Sequence, residues 1–237
     1  MSLTSRANSP PDVGVLIPAA GRGERAGTGD LKQFRPIHGV PMLLRALRPF
    51  MQHPRVRRVI VALPASEATS PPSWLAAAGG ERLQLVAGGS ARVDSVRAAL
   101  AALDPACRIV LIHDAARPFV TRDTIDAVIR GAEGGQGALA AVPVTDTLKR
   151  GDAARRVKET VDRSGLWRAQ TPQAFPRDVL EAAYRLTPDA PDTAPPTDDA
   201  QLVERAGFPV VLVPDVSTNI KITTAEDFLL AEALARS

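Results

Sequence analysis

One loop of this sequence combines glycines with cations in a spacing that suits phosphate groups. An apolar run ends at Gly21; Gly23 and Gly27 follow it, and Arg25 and Lys32 lie in the same loop. Backbone N–H groups of a glycine-rich turn can approach phosphate oxygens closely, and cations there would stabilise a polyphosphate whose charge increases during phosphoryl transfer. The spacing G-x-G-x-x-x-G is neither the dinucleotide fingerprint nor a Walker sequence. The loop therefore indicates phosphate binding, with a tight turn and solvated charges as the alternative.

Two further turns follow apolar runs and carry polar groups. Gly89, Ser90 and Ser95 belong to GGSARVDSV, where a serine at a helix start could be an N-cap or a ligand contact. Asp114 and Arg117 belong to HDAARPF. The carboxylate could form a turn or bind a hydroxyl group or a divalent metal, and the guanidinium could bind a phosphate or neutralise the carboxylate. No two histidines have the spacing of zinc ligands, and the histidine of HDAARPF is expected to pack rather than to act as a base.

Two later segments place cations beside hydroxyl and amide groups. Thr147, Arg163 and Thr171 lie within residues 145–175, whose mixture of Thr, Arg and Gln suits a hydroxylated, phosphorylated molecule. Lys221 lies in NIKIT, just before the last predicted helix, where an anion can bind. Only four of the 29 cations are lysines. The retained lysines therefore favour positions that need a compact ammonium group, with random retention as the alternative.

The composition limits the class of protein. The 237 residues are 45% hydrophobic and 23% charged, values that exclude a collagen-like, rod-like or largely disordered chain. No apolar run approaches the roughly 18–20 residues that cross a bilayer, and the first residues lack the apolar segment of a secretory signal, so we predict a cytoplasmic protein without a membrane partner. Cys107 is the only cysteine, which excludes a disulfide framework and a cysteine zinc site. Because both signs of charge are interspersed, no nucleic-acid partner is expected.

Short apolar runs alternate with helical patterns along most of the chain. The runs are typical of strands buried on both faces, and the alternation predicts an α/β fold in which helices flank a mostly parallel sheet. In such a sheet ligands bind at the carboxyl ends of the strands, where the turns described above lie. We predict strands at 14–20, 56–64, 82–88, 108–116, 137–144 and 209–215, and helices at 41–52, 91–103, 123–133, 176–186, 198–206 and from Thr224 onward.

The chain is predicted to form one domain with an appendage. We predict a mobile tail at residues 1–12 and a single domain at 13–237. Residues 145–175 interrupt the alternation with two short β-like stretches around a polar turn. They predict a β-hairpin arm that projects from the body and mediates dimerisation, with an ordinary surface excursion as the alternative. Residues 187–197 contain four prolines and are expected to form a flexible loop.

The motifs of the chain, taken in order, resemble those of a known family. PAAGxGxR, KQF, GGxxRxxSV, HDAARP, DTLK, VDRxGLWxAQTPQxF, TDxA and NIKIT occur in the order found in the 2-C-methyl-D-erythritol 4-phosphate cytidylyltransferases of the non-mevalonate isoprenoid route, over about residues 13–236. The resemblance implies a Rossmann-like nucleotidyltransferase fold and a homodimer formed through an exchanged arm. It also implies that CMP passes from CTP to methylerythritol phosphate by in-line attack of the substrate phosphate on the α-phosphate, with Mg²⁺ or another divalent cation as cofactor.

The resemblance also implies a role for each candidate residue. The residues around CTP would be Pro18, Ala19, Ala20, Gly21, Gly23, Gly89, Ser90, Ser95, Asp114 and Ala115. The methylerythritol phosphate would be bound by Arg117, Thr147, Arg163, Thr171 and Lys221. The catalytic cations would be Arg25, Lys32, Arg163 and Lys221. Asp114 would lie near the ribose and the metal, which the CTP phosphates would mainly hold, and Thr147 and Arg163 would serve the site of the partner subunit.

Two positions depart from the family pattern. Leu31 stands where the family usually has proline before Lys-Gln. The order of the loop around Lys32 without nucleotide is therefore open. Asp215 stands where the family often has glycine, which leaves the local turn open.

Three other functions remain as alternatives. A cytidylyltransferase for another polyol phosphate, such as ribitol 5-phosphate, is disfavoured by AAG at 19–21 and by the DRxGLW sequence at 162–167. A nicotinamide-dependent oxidoreductase is disfavoured by the glycine spacing and by the lack of an obvious ribose-binding acid after the second strand. A catalytically silent nucleotide-binding protein is disfavoured by the intact set of cations.

Overall fold

The computed structural model describes residues 10–21, 31–186 and 194–236. Gly23 and Arg25 lie outside these ranges, as do residues 1–9 of the predicted tail and residues 187–193 of the predicted loop. The predictions for those residues therefore stay predictions.

Strands and helices alternate through most of the described chain, as the apolar runs predicted. The strands are β1 (Val13–Pro18), β2 (Pro36–Ile37), β3 (Val40–Pro41), β4 (Val56–Leu63), β5 (Leu83–Ala87), β6 (Ile109–Ile112), β7 (Gly137–Pro143), β8 (Leu148–Gly151), β9 (Val157–Val161), β10 (Trp167–Pro176) and β11 (Val210–Pro214). The α-helices are α1 (Met42–Met51), α2 (Ala65–Thr69), α3 (Ser73–Gly79), α4 (Arg92–Ala101), α5 (Arg122–Ala132), α6 (Arg177–Leu186), α7 (Asp199–Arg205) and α8 (Ala225–Leu234). The short strands β2 and β3, the strand β10 and the short helices α2 and α3 were not predicted.

Seven strands form one sheet in the order β11-β7-β10-β6-β1-β4-β5. Neighbouring strands are parallel except at β10, which is antiparallel to both β7 and β6. The sheet is therefore mostly parallel, as predicted. Because β1 lies between β6 and β4, residues 19–21 after β1 lie beside the turns that follow those two strands. This is the edge at which open α/β sheets bind ligands.

Helices cover both faces of the sheet. Val15 and Ile17 of β1 share a buried cluster with Leu47 of α1 on one face. Leu16 shares the other cluster with Val96 of α4, together with residues of α6 and α7. Because successive side chains of a strand point to opposite faces, a strand covered on both sides must be apolar throughout, which explains the uninterrupted run.

The hairpin arm is present but shorter than predicted. β8 and β9 form a two-stranded antiparallel hairpin. Residues 167–175 of the predicted arm belong instead to β10 of the main sheet, because residues 170–175 are buried and bring Ala174 and Phe175 into the core. We therefore define the arm as residues 144–166, closed at its base by the Val144 N–H, which donates to the Leu166 carbonyl at 3.0 Å. Most residues of the arm are exposed.

Local capping signals fix two helices near the carboxyl edge of the sheet. Thr121 Oγ1 accepts from the Thr124 N–H at 3.2 Å and caps α5. Thr224 and Asp227 form a capping box at the start of α8. Hydrogen bonds, led by that from Thr223 Oγ1, lower the pKa of Asp227 to about 2. The box holds the chain that follows NIKIT. None of the helices in the described ranges has both the length and the apolar character needed to cross a membrane.

Candidate functional site

A cavity of about 370 Å³ opens at the carboxyl edge of the sheet. It is bounded by the chain after β1, β5 and β6 and by the beginnings of α1 and α4, so that the topology brings distant segments together. The lining residues are Pro18, Ala19, Ala20, Gly21, Lys32, Gln33, Met42, Gly89, Ser90, Ala91, Arg92, Ser95, Asp114, Ala115, Ala116 and Lys221.

This cavity gathers most of the residues that were predicted to surround a nucleotide. Nine of the ten line it, and the tenth, Gly23, lies outside the described residues. Two of the four predicted catalytic cations, Lys32 and Lys221, line it as well. Arg25 lies outside the described residues, and Arg163 lies on the arm rather than in the cavity wall. The cavity therefore brings together most of the predicted nucleotide residues and two of the predicted cations, and their roles stay predictions.

The two glycines after β5 allow two loops to approach closely. A Cβ at Gly88 would lie 2.5 Å from the Cβ of Ala20, and a Cβ at Gly89 would lie 2.2 Å from the Cβ of Asp94. Ser95 Oγ accepts from the Gly89 N–H at 3.2 Å and donates to the Ala91 carbonyl at 3.2 Å. Ser95 therefore fixes this turn, and the glycines leave its backbone against the turn after β1.

Gln33 holds the other side of the glycine-rich turn. Its Nε2 donates to the Ala19 carbonyl at 2.6 Å and to the Gly21 carbonyl at 3.3 Å. Leu31, two residues earlier, has φ −60° and ψ 121°. Proline imposes this value of φ, so the departure from the family pattern leaves the backbone at Leu31 in a proline-compatible conformation.

Asp114 is the one carboxylate among the described lining residues. Its Oδ2 lies 2.9 Å from Lys221 Nζ and 4.0 Å from Arg117 Nε, and its Oδ1 lies 3.5 Å from Arg92 Nε. Burial by itself would raise the pKa of this carboxyl group, but Arg92 and Lys221 outweigh burial, and the pKa is lowered to about 2. Asp114 is therefore an anion at neutral pH that orients the cations around it.

Lys32 reaches the cavity beside the segment that carries Lys221. Lys32 Nζ donates to the Ile222 carbonyl at 2.6 Å. The Ile222 N–H donates to the Ala116 carbonyl at 2.8 Å, which ties this segment to the chain after β6. Lys32 is thus hydrogen-bonded to the residue that follows Lys221, although the two lysines lie far apart in sequence.

The described lining carries a surplus of positive charge. Lys32, Arg92 and Lys221 supply three cations against the single anion Asp114, a balance of +2. Such a surplus at a cavity with exposed loop backbone favours a polyanion. The geometry therefore supports the phosphate chemistry that the glycine-rich loop indicated.

His113 and Thr171 lie behind Asp114, outside the lining of the cavity. Thr171 Oγ1 accepts from the Asp114 N–H at 3.0 Å and donates to His113 Nδ1 at 3.0 Å, while His113 Nε2 donates to the Arg117 carbonyl at 2.9 Å. Burial lowers the pKa of His113 to about 4, so the imidazole is neutral at physiological pH. The prediction of a packed histidine is therefore confirmed.

Arg117 is directed into the protein. Its Nη1 donates to the Asn219 carbonyl at 2.7 Å and its Nη2 to the Ala169 carbonyl at 3.4 Å, and burial lowers the pKa of the guanidinium. A buried guanidinium needs acceptors; the backbone supplies them for Nη1 and Nη2, whereas Nε has no hydrogen-bond partner. Neither Arg117 nor Thr171 lines the cavity, so the structure does not place these two predicted acceptor-binding residues in it.

Asp215 forms the turn that precedes NIKIT. Its Oδ1 accepts from Thr124 Oγ1 at 2.5 Å and from the Val216 N–H at 2.7 Å, and its Oδ2 accepts from Asn219 Nδ2 at 2.7 Å. Asn219 is fully buried and also donates to the Thr171 carbonyl at 2.9 Å. At this position side-chain hydrogen bonds hold the turn where the family often has glycine.

The predicted residues of the arm are exposed and lie outside the cavity wall. Arg163 Nη1 donates to the Thr145 carbonyl, and neither Thr147 nor Arg163 is among the lining residues. Their contribution to the site of a partner subunit stays a prediction.

Five lining residues were not predicted as site residues: Gln33, Met42, Ala91, Arg92 and Ala116. Gln33 and Arg92 lie inside the motifs KQF and GGxxRxxSV. Their polar side chains lie close in sequence to the glycines of those loops, which could have identified both as site residues. Met42 begins a helix, and nothing in its local sequence indicated a cavity.

The side chains of the cavity can be compared with the ligands that a divalent cation prefers. No group of three or more His, Cys, Asp or Glu side chains in the described part of the chain could hold a metal by itself. Mg²⁺ is commonly bound by one or two carboxylates together with substrate phosphates and water. One carboxylate, Asp114, beside a cavity suited to a polyanion fits that mode of binding.

Comparisons with known sequences agree with the motifs. The family 2-C-methyl-D-erythritol 4-phosphate cytidylyltransferase matches residues 13–237. A curated protein of that name from Salinibacter ruber is 47% identical over 93% of this chain and 91% of its own length. Another, from Symbiobacterium thermophilum, is 44% identical over 94% of this chain and 92% of its own length.

Solved structures agree as well. The 2-C-methyl-D-erythritol 4-phosphate cytidylyltransferase of Thermus thermophilus superposes with a TM-score of 0.78 and 35% identity, covering 94% of this chain and 98% of its own. The enzyme of that name from Francisella tularensis gives a TM-score of 0.79 and 29% identity, covering 94% and 99%. The chain therefore belongs to the 2-C-methyl-D-erythritol 4-phosphate cytidylyltransferase family.

Proposed function

We propose that this chain transfers CMP from CTP to 2-C-methyl-D-erythritol 4-phosphate, giving 4-diphosphocytidyl-2-C-methyl-D-erythritol and pyrophosphate. The observation that carries the proposal is the cavity that gathers nine predicted nucleotide residues with Lys32 and Lys221. The relatives in the same family bear the name of this activity. They do not favour the alternative of a cytidylyltransferase for another polyol phosphate.

The reaction needs positioning and charge rather than a protein nucleophile. The substrate phosphate is itself the nucleophile, and a phosphate monoester with a second pKa of about 6 is mostly dianionic at neutral pH, so no general base is required. The barrier lies in bringing two anions together in line. Fixed cations lower that barrier because they offset charge where it accumulates in the transition state.

Lys32 and Lys221 are suited to stabilise charge at different places in the reaction. Lys32 lies beside the glycine-rich turn, where the triphosphate would bind, and would stabilise the charge that develops on the leaving pyrophosphate. Lys221 Nζ is held 2.9 Å from Asp114 Oδ2 and would orient the acceptor phosphate toward the α-phosphorus. Arg25 would be a second cation for the triphosphate, and Arg163 of a partner subunit would be a second cation for the acceptor.

Backbone groups would form much of the nucleotide end. The turns after β1 and β5 approach each other at Ala20 and Gly88, and Gln33 and Ser95 fix their conformations. A preorganised backbone of this kind can read a base through N–H and C=O groups without side-chain rearrangement. Ser90 and Ala115 would complete the wall around base and ribose.

A divalent cation, most simply Mg²⁺, would bind mainly to the phosphates of CTP, with Asp114 as the protein carboxylate nearest to it. When bound, it would supply charge neutralisation of the triphosphate. The residues of this chain would position the two substrates around that charge.

A homodimer would complete the acceptor end of the site. Thr147 and Arg163 lie on the exposed arm, outside the cavity of their own chain. Exchange of arms between two copies would bring them to the cavity of the partner subunit. Arg117 and Thr171, whose polar atoms bind the protein itself, would shape the acceptor end by supporting Asp114 and the segment before Lys221. The cytoplasmic location predicted from the sequence belongs to the same proposal.

The proposal is tested by measuring pyrophosphate release from CTP and Mg²⁺ with methylerythritol 4-phosphate, with ribitol 5-phosphate and without acceptor. We expect release with the first acceptor alone, and loss of release when the divalent cation is chelated. UTP in place of CTP is the nucleotide control.

Each other outcome would change a specific part of the proposal. Release with ribitol 5-phosphate alone would contradict the acceptor assignment. No release with either acceptor, from folded protein that binds CTP, would support a silent nucleotide-binding protein. Undiminished activity after chelation would remove the divalent cation from the mechanism.

A further inference from the structure

Arg92 makes two ion pairs that link the cavity to the protein interior. Its Nε lies 3.5 Å from Asp114 Oδ1, and its Nη1 lies 2.5 Å from Asp199 Oδ2. Asp199 is buried, with 2% of its side chain exposed, and it lies 107 residues away in sequence. Arg92 therefore joins the first residue of α4 to the first residue of α7 beside the carboxylate of the cavity.

Asp199 is itself held from behind. Tyr184 OH donates to Asp199 Oδ1 at 2.7 Å, and burial raises the pKa of this phenol, so the group remains a donor. Because Tyr184 and Arg92 use one oxygen each, both oxygens of the buried carboxylate are satisfied. Asp199 can therefore hold the guanidinium in one orientation.

The beginning of α7 is also fixed to the sheet. Gln173 of β10 donates through Nε2 to Asp198 Oδ2 at 2.9 Å and accepts at Oε1 from the Ala200 N–H at 2.9 Å. Asp198 caps the helix by accepting from the Gln201 N–H at 2.8 Å. The position of Asp199 is thus set by β10 and not only by its own helix.

We propose that Arg92 and Asp199 are positioning residues: their ion pair fixes the Asp114 carboxylate, and through it the Lys221 ammonium, at the place where the acceptor phosphate would meet CTP. Contacts run in an unbroken series from Tyr184 through Asp199, Arg92 and Asp114 to Lys221. This inference rests on the proposed function, because it assigns the series a task in that reaction.

The first test is a double-mutant cycle. It compares kcat/KM of the wild-type protein, in the oligomeric state in which it purifies, with kcat/KM of single and double variants. We expect Asp199→Asn to lower kcat/KM for the acceptor about tenfold, and Tyr184→Phe to lower it less, by about two- to fivefold. Arg92→Lys keeps the charge and should restore part of the activity that Arg92→Met loses. The matched control is Asp104→Asn. Asp104 also pairs with an arginine, Arg57, at 2.6 Å, but it lies before β6, whereas the cavity lies after β6. The Asp104→Asn variant should therefore leave kcat/KM unchanged.

The cycle separates positioning from a general effect on folding. If Asp199 acts through Asp114, Asp199→Asn should cost little further activity in an Asp114→Asn background. Equal losses in both backgrounds would overturn the proposal, as would a lower melting temperature without any change in the kinetic constants.

A second readout does not depend on activity. The chain has only four lysines, so the ¹⁵N-ammonium signals of its lysines can be assigned with single Lys→Arg variants. A Lys221 signal that is sharp in the wild type and in Asp104→Asn, and broadened in Asp199→Asn, would support the proposal. An unchanged signal in Asp199→Asn would overturn it. If wild-type protein shows no transfer at all, the proposed function fails, and this signal still decides whether Asp199 positions Lys221.

Discussion

The cavity and the arm use their polar residues in opposite ways. In the cavity, polar groups from distant segments meet: Lys32 binds the carbonyl of Ile222, and Asp114 pairs with Lys221 and Arg92. In the arm, charged groups pair with near neighbours across the hairpin or its turn, such as Arg150 with Glu159 and Arg156 with Asp152. The arm also exposes Val157, at 66%, and Leu166, at 38%.

The difference indicates which part of the proposed site a single chain can form by itself. The cavity has a fixed wall, a partly buried anion and a surplus of cations before any substrate binds. The arm has residues of the right chemistry, Thr147 and Arg163, but no wall of its own chain around them. The proposed function therefore requires a second molecule to bring these arm residues to a cavity.

Substitution of a cavity lysine should have the largest effect of any single change. We expect Lys32→Ala to lower kcat/KM by about 10²–10³-fold, because it removes a preorganised cation from the place where charge develops. Pyrophosphate release at saturating and limiting CTP measures the loss.

The arm supplies a matched control for that substitution. Lys158→Ala removes an exposed lysine from β9 and should change kcat/KM by less than about twofold, since exposed single charges contribute little. Similar losses of kcat/KM in the two variants would contradict the claim that the cavity lysine acts in the reaction and the exposed arm lysine does not.

The two regions should also differ in how acid affects stability. Asp114 in the cavity has a pKa of about 2, lowered from 3.8. A carboxylate with a lowered folded-state pKa stabilises the protein above its unfolded pKa, and this contribution is lost as the pH falls from about 4 through about 2. We expect Asp114→Asn to be less stable at neutral pH by about 1–3 kcal/mol, and to lose less stability than the wild type across that window.

Asp162 on the arm is the comparison for this effect. Hydrogen bonds from Ser164 lower its pKa as well, but the group is exposed and solvent screens it. The free energy of unfolding of Asp162→Asn, measured in urea from pH 5 to pH 2, should follow the wild-type curve closely. If the free energy of unfolding of Asp162→Asn depended less on pH than that of Asp114→Asn, the result would contradict the expected difference between arm and cavity.

The smallest effect is expected at Leu31, at the edge of the cavity. Because Leu31 already has φ −60°, Leu31→Pro should raise the free energy of unfolding by about 0.4–1 kcal/mol through the entropy of the unfolded chain. Thermal and urea unfolding measure the change, and activity should be retained. Destabilisation would show that the loop before Lys32 needs the N–H or the freedom that leucine provides.

Much of the cavity could be predicted because its residues follow buried strands directly. Gly21, Gly89 and Asp114 each come just after an apolar run, and the parallel sheet places the ends of those runs at one edge. The composition of the central runs also predicted the strands β1 and β6, because a strand covered on both faces is apolar throughout.

The remainder depends on contacts that local sequence does not encode. β10 lies in a polar segment and enters the sheet antiparallel, so no apolar run marked it. The pairing of Arg92 with Asp199 joins residues that are 107 positions apart. The inward direction of Arg117 depends on the carbonyls of Asn219 and Ala169, which only the folded chain brings to it.

The most direct test of the account asks whether cavity and arm of two different chains form one site. Lys32→Ala and Arg163→Ala proteins, each of which we expect to have lost most of its activity, are mixed under conditions that allow subunits to exchange. In a symmetric dimer with exchanged arms, half of the dimers become hybrids and each hybrid has one intact site of two, so we expect recovery of about a quarter of the wild-type activity. No recovery, with hybrids present by native mass spectrometry, would contradict the claim that Arg163 serves the cavity of its partner subunit.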